Sequence, residues 1–390
     1  MTAPIWIATG VCVLLLLAHI VSIAIAAIRL RAGRADVPRF ARGPGISLIR
    51  PLCGLENFIA DTLRSGFELD YRNYELLFCV ADRADPVIPL VEQLMQNYPQ
   101  VPARLLIGDE RISGNPKLNN MLKGERAAAH GWLLMADSNV LMPRDYIQRA
   151  LAAWRTDTGV VCSPPAGAHP ATLWAEIEVA FFNGYQARWQ YVADTIGLGF
   201  AQGKTMLWRR ADLERAGGLE ALAAEIAEDA AATKAVRAMG LRVRLAAPPF
   251  PQPLGRRGAA EVWRRQLRWA QLRRASFPLL FVGEIFSGVL PPLVAAACAA
   301  DAAGTSPLAA VCLLLPLWYG AEALLVRAAR WPLTLSSPLA WLIRDLLLPM
   351  LWIEAWIARD FVWRGNAMRS REGARVTQTA RQLLARVMAG

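Results

Sequence analysis

Residues 132–139 read WLLMADSN, a short apolar strand that runs directly into the carboxylate of Asp137. The same pattern occurs earlier, where the apolar residues 74–81 end at Asp82. The neighbouring segments are strands at 46–51 and 103–108 and helices at 87–97 and 118–130. Strands that alternate with helices in this way predict a parallel sheet covered by helices.

Two aspartates follow the predicted strands directly. Open α/β sheets bind nucleotides in the crevice at the carboxyl ends of their strands. One aspartate there would be uninformative, but Asp82 and Asp137 follow separate strands. The pair therefore indicates a nucleotide-binding site at this edge of the sheet.

The tripeptide Asp137-Ser138-Asn139 is close to the Asp-x-Asp pattern that holds a divalent cation against a sugar-nucleotide diphosphate. Two oxygen ligands one residue apart on a turn suit Mg2+ or Mn2+, which prefer oxygen and keep water ligands. Asn139 supplies a neutral amide oxygen where a second carboxylate is usual, so we expect weaker metal binding. The tripeptide alone is weak evidence, because such triplets occur by chance on many loops.

Lys117 lies in the segment Asn115-Pro116-Lys117, which precedes a helical pattern. Asparagine is a common cap and proline is common in the first turn, so a simple helix start explains the segment. In a second interpretation, Lys117 also pairs with a phosphate group and the asparagines of the segment contact the nucleotide or a metal. The residues leave both interpretations open.

Glu228 and Asp229 lie in residues 221–239, an alanine-rich stretch with high helix propensity. A solvated helix face is the simpler interpretation of this pair. However, the surrounding sequence is mostly apolar, and the pair follows a Gly217-Gly218 turn that would present it to a cleft. A carboxylate in such a cleft is suited to general-base catalysis.

The composition indicates a membrane protein. Of the 390 residues, 55% are hydrophobic and 19% are charged, and the mean hydropathy is +0.27. These values are atypical of a soluble protein. The net charge of +11 comes mostly from arginines beside hydrophobic segments, which favours an anionic membrane surface over nucleic acid. Six scattered cysteines indicate a reduced compartment, and three scattered histidines argue against a zinc site.

Hydrophobic segments lie at both ends of the chain. Residues 5–30 are long enough to cross the roughly 30 Å hydrocarbon core, and they lack the basic start and cleavage site of a signal peptide. Arginines follow this segment at once, so the positive-inside rule places the next domain in the cytoplasm. They are Arg29, Arg31, Arg34, Arg39 and Arg42. Near the other end, candidate spans lie at about 279–300, 307–327 and 339–360. Arg344, Asp345 and Glu354 would be costly at mid-bilayer, which leaves a shallow or re-entrant pair as the alternative to a third crossing.

Two segments suggest contact with the membrane surface. Residues 174–192 are rich in aromatics and predict an interfacial amphipathic helix, with ordinary core packing as the alternative. Residues 265–269, RQLRW, lie in a basic run that would form a cationic helix on anionic lipid. Arg268 would also suit bidentate binding of a diphosphate, and the two roles are compatible.

Taken in order, these motifs resemble the ceramide glucosyltransferase family, inverting glycosyltransferases with a GT-A fold. The resemblance covers about residues 44–275. It implies an α/β GT-A domain, with a Rossmann-like mixed sheet and flanking helices, joined to α-helical transmembrane segments. The matching stretches are SLIRPLCG (47–54), CVADRADP (79–86), NPKLNN (115–120), DSN (137–139), GGL (217–219), AED (227–229) and RQLRW (265–269).

The resemblance also implies a role for each matching residue. Asp229 would be the catalytic base, and Asp82 would bind the uridine of the donor. Asp137 would hold a divalent cation, with Asn139 as the second ligand. The full set of donor-binding candidates is Asp82, Lys117, Asp137, Arg265 and Arg268, and the acceptor-binding candidates are Glu228 and Trp269.

The implied reaction is transfer of glucose from UDP-glucose to the primary hydroxyl of ceramide, with inversion and with Mg2+ or Mn2+. The alternative is the same chemistry on another lipid, such as a hopanoid or diacylglycerol, or with another UDP-sugar. A polysaccharide synthase is disfavoured because the membrane block is too small for a translocation channel. A transporter or scaffold is disfavoured because embedded charges are few and no internal repeat is evident.

The expected organisation has four parts. They are an anchor at 1–32, a GT-A domain at 33–276 with an interfacial helix near 173–193, transmembrane or interfacial helices at 277–365, and a basic cytoplasmic tail at 366–390. We expect an integral protein of the bacterial inner membrane with its catalytic domain in the cytoplasm. Its expected partners are UDP-glucose, a membrane lipid and the bilayer, with no nucleic acid.

Overall fold

The computed structural model of the protein describes residues 3–34, 43–358, 360–363 and 366–369. The chain forms two compact units. The first, which we call the helical unit, comprises Met1–Arg34, Ala166–Thr195 and Leu254–Ala358. The second, the sheet unit, comprises Ala35–Pro165, Ile196–Pro253 and Arg359–Gly390. Arg39, Arg42 and most of the expected tail at 366–390 lie outside the described residues.

The sheet unit is built around seven strands. The strands of the chain are β1 (Ile46–Leu52), β2 (Tyr74–Val80), β3 (Ala103–Ile107), β4 (Trp132–Ala136), β5 (Thr158–Cys162), β6 (Ala166–Pro170), β7 (Thr205–Arg209), β8 (Arg242–Leu245), β9 (Pro251–Gly255), β10 (Asp360–Trp363) and β11 (Asn366–Arg369). The large sheet has the order β3-β2-β1-β4-β7-β5-β8, while β6 pairs with β9 and β10 with β11.

The large sheet is mixed. β1 pairs in parallel with β2 and with β4, β2 with β3, and β5 with β8. β7 runs antiparallel to both β4 and β5, and so joins the two parallel groups. The first four strands match the sequence prediction to within one residue or so, whereas β5, β7 and β8 were not predicted.

The strands β1 and β2 lie in the interior of the sheet unit. All seven residues of β1 and all seven of β2 are buried, as is usual for parallel strands that face no water. The helices of the sheet unit are Ile59–Phe67, Ile88–Asn97, Pro116–Ala127, Tyr146–Ala152, Arg210–Arg215, Gly218–Leu222 and Glu228–Ala238. The alanine-rich stretch at 221–239 therefore contains the end of one helix, a turn and the whole of a second helix, and Glu228 and Asp229 lie in the first turn of the second.

The helical unit contains both of the hydrophobic regions that the sequence shows, one near each end of the chain. Its helical segments are Ala3–Ala32, Leu173–Val179, Ala180–Ala187, Arg188–Thr195, Ala259–Ser276, Pro278–Gly283, Glu284–Phe286, Leu290–Ala302, Pro307–Ala329 and Ser337–Ile357. Ala180–Ala187 is a π-helix in which all eight residues are buried. This burial favours core packing over a surface helix for the middle of the aromatic segment at 174–192.

Two described helices, Ala3–Ala32 and Pro307–Ala329, are long and apolar enough to cross a membrane. A third crossing results if Pro278–Phe286 and Leu290–Ala302, which are bent by 48°, form one broken span. These helices support the expectation of a membrane protein.

Two of the charges that the sequence placed in the last hydrophobic segment, Arg344 and Asp345, are paired within the helical unit. Arg344 lies on Ser337–Ile357 and donates to both oxygens of Glu322 at 2.5 and 2.9 Å. Its Nε also lies 2.9 Å from Asp345. Pairing of this kind is what makes charged groups tolerable among apolar helices.

Candidate active site

Asp137 lies directly after β4 and is bound by two lysines. Its Oδ1 is 2.7 Å from Nζ of Lys117, and its Oδ2 is 2.9 Å from Nζ of Lys204. Burial alone would raise the pKa of Asp137, but the two ammonium groups outweigh it and hold the pKa well below its usual range. Asp137 is therefore a fixed negative charge at the edge of the sheet.

Lys117 joins Asp137 to Glu228. It follows Asn115, whose side chain caps the helix by accepting from the backbone N–H groups of Lys117 and Leu118. Its Nζ lies 2.7 Å from Oε1 of Glu228 and donates to the Gly203 carbonyl at 2.5 Å. Burial would lower the pKa of Lys117, but the two carboxylates outweigh burial and raise it. The predicted helix start is confirmed, and the ammonium group is held by carboxylates.

The carboxylate of Glu228 is buried in the same cluster. Its Oε2 accepts from Nδ2 of Asn115 at 2.7 Å, and only 6% of the residue is exposed. A methyl group added at Gly203 would lie 2.6 Å from Oε1 of Glu228, so only glycine allows this approach. The structure thus places Glu228, which was expected to contact the acceptor, against Lys117 and Asn115.

Asp229 is half-buried beside this cluster. Its Oδ2 accepts from the backbone N–H of Gly203 at 3.3 Å, and its Oδ1 from that of Ala230 at 2.8 Å. Burial, followed by the negative charge of Glu228, raises the pKa of Asp229 to about 7. A carboxylate with that pKa is suited to accept a proton near neutral pH.

Asn139 belongs to the same site through Lys204. Its Oδ1 lies 3.4 Å from Nζ of Lys204. Asp137 and Asn139 supply the oxygen donors that Mg2+ and Mn2+ prefer, but the described part of the chain contains no group of three or more acidic, cysteine or histidine side chains arranged for a metal. Asp137 and Asn139 are therefore the residues that would hold a cation here.

Asp82 lies at the same edge of the sheet and is exposed. It comes just after β2, and its Oδ1 accepts from the backbone N–H of Ala84 at 2.9 Å. The nearby Asp85 has a structural role. It accepts hydrogen bonds from the backbone N–H groups of Gly54 and Val87, and so connects the loop after β1 to the loop after β2.

The RQLRW motif belongs to the helical unit, on the helix Ala259–Ser276. Arg265 donates to Glu178 at 2.9 Å, and that carboxylate is completely buried. Trp269 stacks on Phe182 with ring centroids 5.3 Å apart, and Arg268 is half-buried. The structure thus brings Lys117, Asp137, Glu228 and Asp229 together in the sheet unit, and it places the RQLRW residues in the helical unit.

Two residues of the site were missed by the sequence analysis. Lys204 immediately precedes β7, whose Thr205 pairs with Ala136 of β4, so the strand register sets Lys204 beside Asp137. Arg50 of β1 is completely buried and donates to the carbonyls of Asp137 and Ser138, both at 3.0 Å. The sequence did contain a signal for Arg50, because an arginine is unusual within a mostly apolar strand.

Comparison with known proteins identifies the family of the chain. The profile of glycosyl transferase family 21 matches residues 14–376. Ceramide glucosyltransferase 1 of Caenorhabditis elegans is 28% identical over 345 residues, which are 85% of this chain and 73% of that protein. Ceramide glucosyltransferase 3 of the same organism is 25% identical over 340 residues, or 85% of this chain and 74% of its own.

A weaker likeness exists to a solved mannosyltransferase from Pyrobaculum calidifontis in complex with GDP-Man and Mn2+. It covers 87% of this chain and 99% of that protein, with a TM-score of 0.48 and 18% identity. GDP-Man and Mn2+ are therefore ligands of that protein, and they are not assigned to this chain.

The family match spans most of the chain and includes every residue of the cluster around Asp137. The mixed sheet with flanking helices has the predicted GT-A arrangement. The chain therefore belongs to glycosyl transferase family 21, and it is a membrane glycosyltransferase with an α/β GT-A fold.

Proposed function

We propose that this protein transfers glucose from UDP-glucose to the primary hydroxyl of ceramide, with inversion, to give β-glucosylceramide. The observation that carries the proposal is Asp229, a half-buried carboxylate with a pKa of about 7 beside the ionic cluster of Asp137. The named activity of the two nematode relatives supports the choice of sugar and lipid.

Asp229 acts as the general base in the proposed reaction. Its carboxylate takes the proton of the acceptor hydroxyl while the hydroxyl oxygen attacks the anomeric carbon of the sugar. The bond from that carbon to the UDP oxygen breaks on the opposite face. A single displacement of this kind inverts the anomeric centre, so an α-linked donor gives a β-linked product.

The donor is proposed to lie along the edge of the sheet. Asp82 binds the uridine, and Lys117 stabilises the negative charge that grows on the departing diphosphate. Arg265 and Arg268 stay proposed donor-binding residues on the strength of the family resemblance. Asp137, with Asn139, would hold a divalent cation, which supplies further stabilisation of that charge when it is bound.

The acceptor is proposed to enter from the membrane. Trp269, with its ring stacked on Phe182, would form one apolar wall of the acceptor site. Glu228 would act on the acceptor through its neighbour Asp229, because the negative charge of Glu228 raises the pKa of that base. The proposed location is the bacterial inner membrane, with the sheet unit in the cytoplasm.

The experiment that tests this function measures UDP release by the purified protein with UDP-glucose, with and without short-chain ceramide. The product is identified by mass, and each reaction is repeated with EDTA. Ceramide-dependent release of UDP together with a hexosylceramide product would support the proposal. Release with diacylglycerol or a hopanoid, and none with ceramide, would retain the chemistry and refute the acceptor. Loss of activity in EDTA would support the cation.

A further inference from the structure

Both candidate cation ligands are in contact with lysine. The two carboxylate oxygens of Asp137 lie 2.7 Å from Lys117 and 2.9 Å from Lys204. The same Lys204 lies 3.4 Å from the amide oxygen of Asn139. A cation that binds these oxygens must therefore replace at least one ammonium group.

The charges of the cluster are balanced without a metal. Asp137, Glu228 and an ionised Asp229 contribute three negative charges, and Lys117, Lys204 and the buried Arg50 contribute three positive ones. The side chains of the lysines are only 14% exposed, so an excess of charge would be poorly solvated. A divalent cation alone would add two positive charges here. A divalent cation together with a nucleotide diphosphate would add little net charge.

We propose that Lys204 occupies the cation position between Asp137 and Asn139 until the donor binds, and then moves to the diphosphate. The cation and the nucleotide would consequently bind together, and either alone would bind weakly. This inference rests on the proposed nucleotide-sugar donor and cation, and it adds a residue that controls their order of binding.

Lys204, rather than Lys117, is the group that exchanges. Lys117 is also bound to Glu228 at 2.7 Å and to the Gly203 carbonyl at 2.5 Å, so its removal from Asp137 would leave it anchored nearby. Lys204 contacts both Asp137 and Asn139. Its departure therefore frees both oxygen ligands in a single step, and a freed ammonium group pairs well with phosphate.

The test measures binding of Mn2+ alone, from the free-ion signal in electron paramagnetic resonance, to the full-length detergent-solubilised protein. We expect weak binding without UDP and tighter binding with UDP. Replacement Lys204→Met should tighten binding of Mn2+ alone by at least about tenfold, because an ammonium group a few ångströms away repels a divalent cation even at high effective dielectric. The same replacement should weaken binding of UDP measured in EDTA, because a phosphate partner is lost.

Two further variants serve as controls. Lys204→Arg keeps the positive charge and should bind Mn2+ as weakly as the unmodified protein. Lys234→Met removes a lysine that pairs with Glu225 and has a side chain 50% exposed, so it should change neither ligand's affinity. Opposite changes in Mn2+ and UDP affinity in Lys204→Met also exclude general misfolding, which would weaken both.

The proposal is overturned if UDP leaves the affinity for Mn2+ unchanged, or if Lys204→Met does not tighten binding of Mn2+ alone. Neither measurement requires an acceptor lipid. A protein that shows the coupled binding but makes no hexosylceramide would therefore refute the proposed function and leave the exchange of Lys204 intact.

Discussion

At the scale of single residues, Asp229 differs from Asp137 although both are carboxylates of one site. Two lysines stabilise the charge of Asp137 and lower its pKa. Asp229 is half-buried next to a second carboxylate, and its pKa is raised to about 7. Environments that separate the pKa values of neighbouring acids in this way assign one to charge stabilisation and the other to proton transfer.

Replacement Asp229→Asn should remove the base and keep its shape. We expect kcat to fall by about 10²- to 10⁴-fold, the usual contribution of general-base catalysis, while UDP binding stays close to that of the unmodified protein. Turnover and UDP titration by calorimetry check this. Glu214→Gln changes an exposed carboxylate on Arg210–Arg215 and should alter neither quantity. Lost UDP affinity in Asp229→Asn would assign the residue to donor binding instead.

The pH dependence of the reaction should report the same carboxylate. A base works when it is deprotonated, so kcat/KM should rise with pH and level off above about 7, the pKa of Asp229. Glu228→Gln removes one of the charges that raise this pKa, and it should move the rise toward lower pH. A pH profile that is identical in the two proteins would show that Glu228 does not influence the base.

At the scale of elements, the buried ion pair of the helical unit depends on one glycine. Gly184 lies in the π-helix Ala180–Ala187, where a methyl group would collide with Oε1 of Glu322 and lie 2.8 Å from an Arg344 nitrogen. Glu322 and Arg344 lie on the helices Pro307–Ala329 and Ser337–Ile357. The glycine therefore lets three helical segments meet around one ion pair.

Gly184→Ala should consequently destabilise the protein by about 1–3 kcal/mol, as overpacking of a filled interior usually does. A lower thermal midpoint in detergent, followed by tryptophan fluorescence, is the expected result. Gly320→Ala is the matched control, because a methyl group there meets no atom within 4 Å and alanine favours a helix. Equal midpoints for the two variants would mean that the helices adjust without cost.

At the scale of the whole molecule, the hydrophobic helices determine which side of the membrane each loop faces. The arginines in the last turn of Ala3–Ala32 predict that the chain continues in the cytoplasm. If the bent pair Pro278–Phe286 and Leu290–Ala302 crosses once, the turn before Pro307 faces the opposite side. Cys53, in the sheet unit, is exposed and serves as a natural probe.

Labelling of single-cysteine variants with a membrane-impermeant maleimide checks this topology. Cys53 should react only after spheroplasts are permeabilised, and Thr305→Cys, in the exposed turn, should react in intact spheroplasts. Reaction of Cys53 in intact spheroplasts would invert the predicted orientation. Protection of Thr305→Cys would instead identify the bent pair as a re-entrant loop.

The sequence by itself determined the features that depend on local pattern. The strands β1 to β4 were predicted because buried parallel strands are almost continuously apolar, and Ala3–Ala32 because a membrane span needs a long apolar run. The positions of Asp82 and Asp137 at one edge of the sheet followed from their place directly after such strands, and their role in binding stays a prediction. Each of these inferences uses only neighbours along the chain.

Only the tertiary structure decided which groups surround Asp137. Lys204 lies 65 residues from Asn139 and meets it because β7 inserts antiparallel beside β4, a pairing that no local pattern specifies. Glu228 turns inward because Asn115 and Lys117, on another helix, supply its partners. A sequence shows which side chains can carry charge, but their ionic partners and pKa values depend on burial and on contacts between distant segments, which exist only once the sheet has formed.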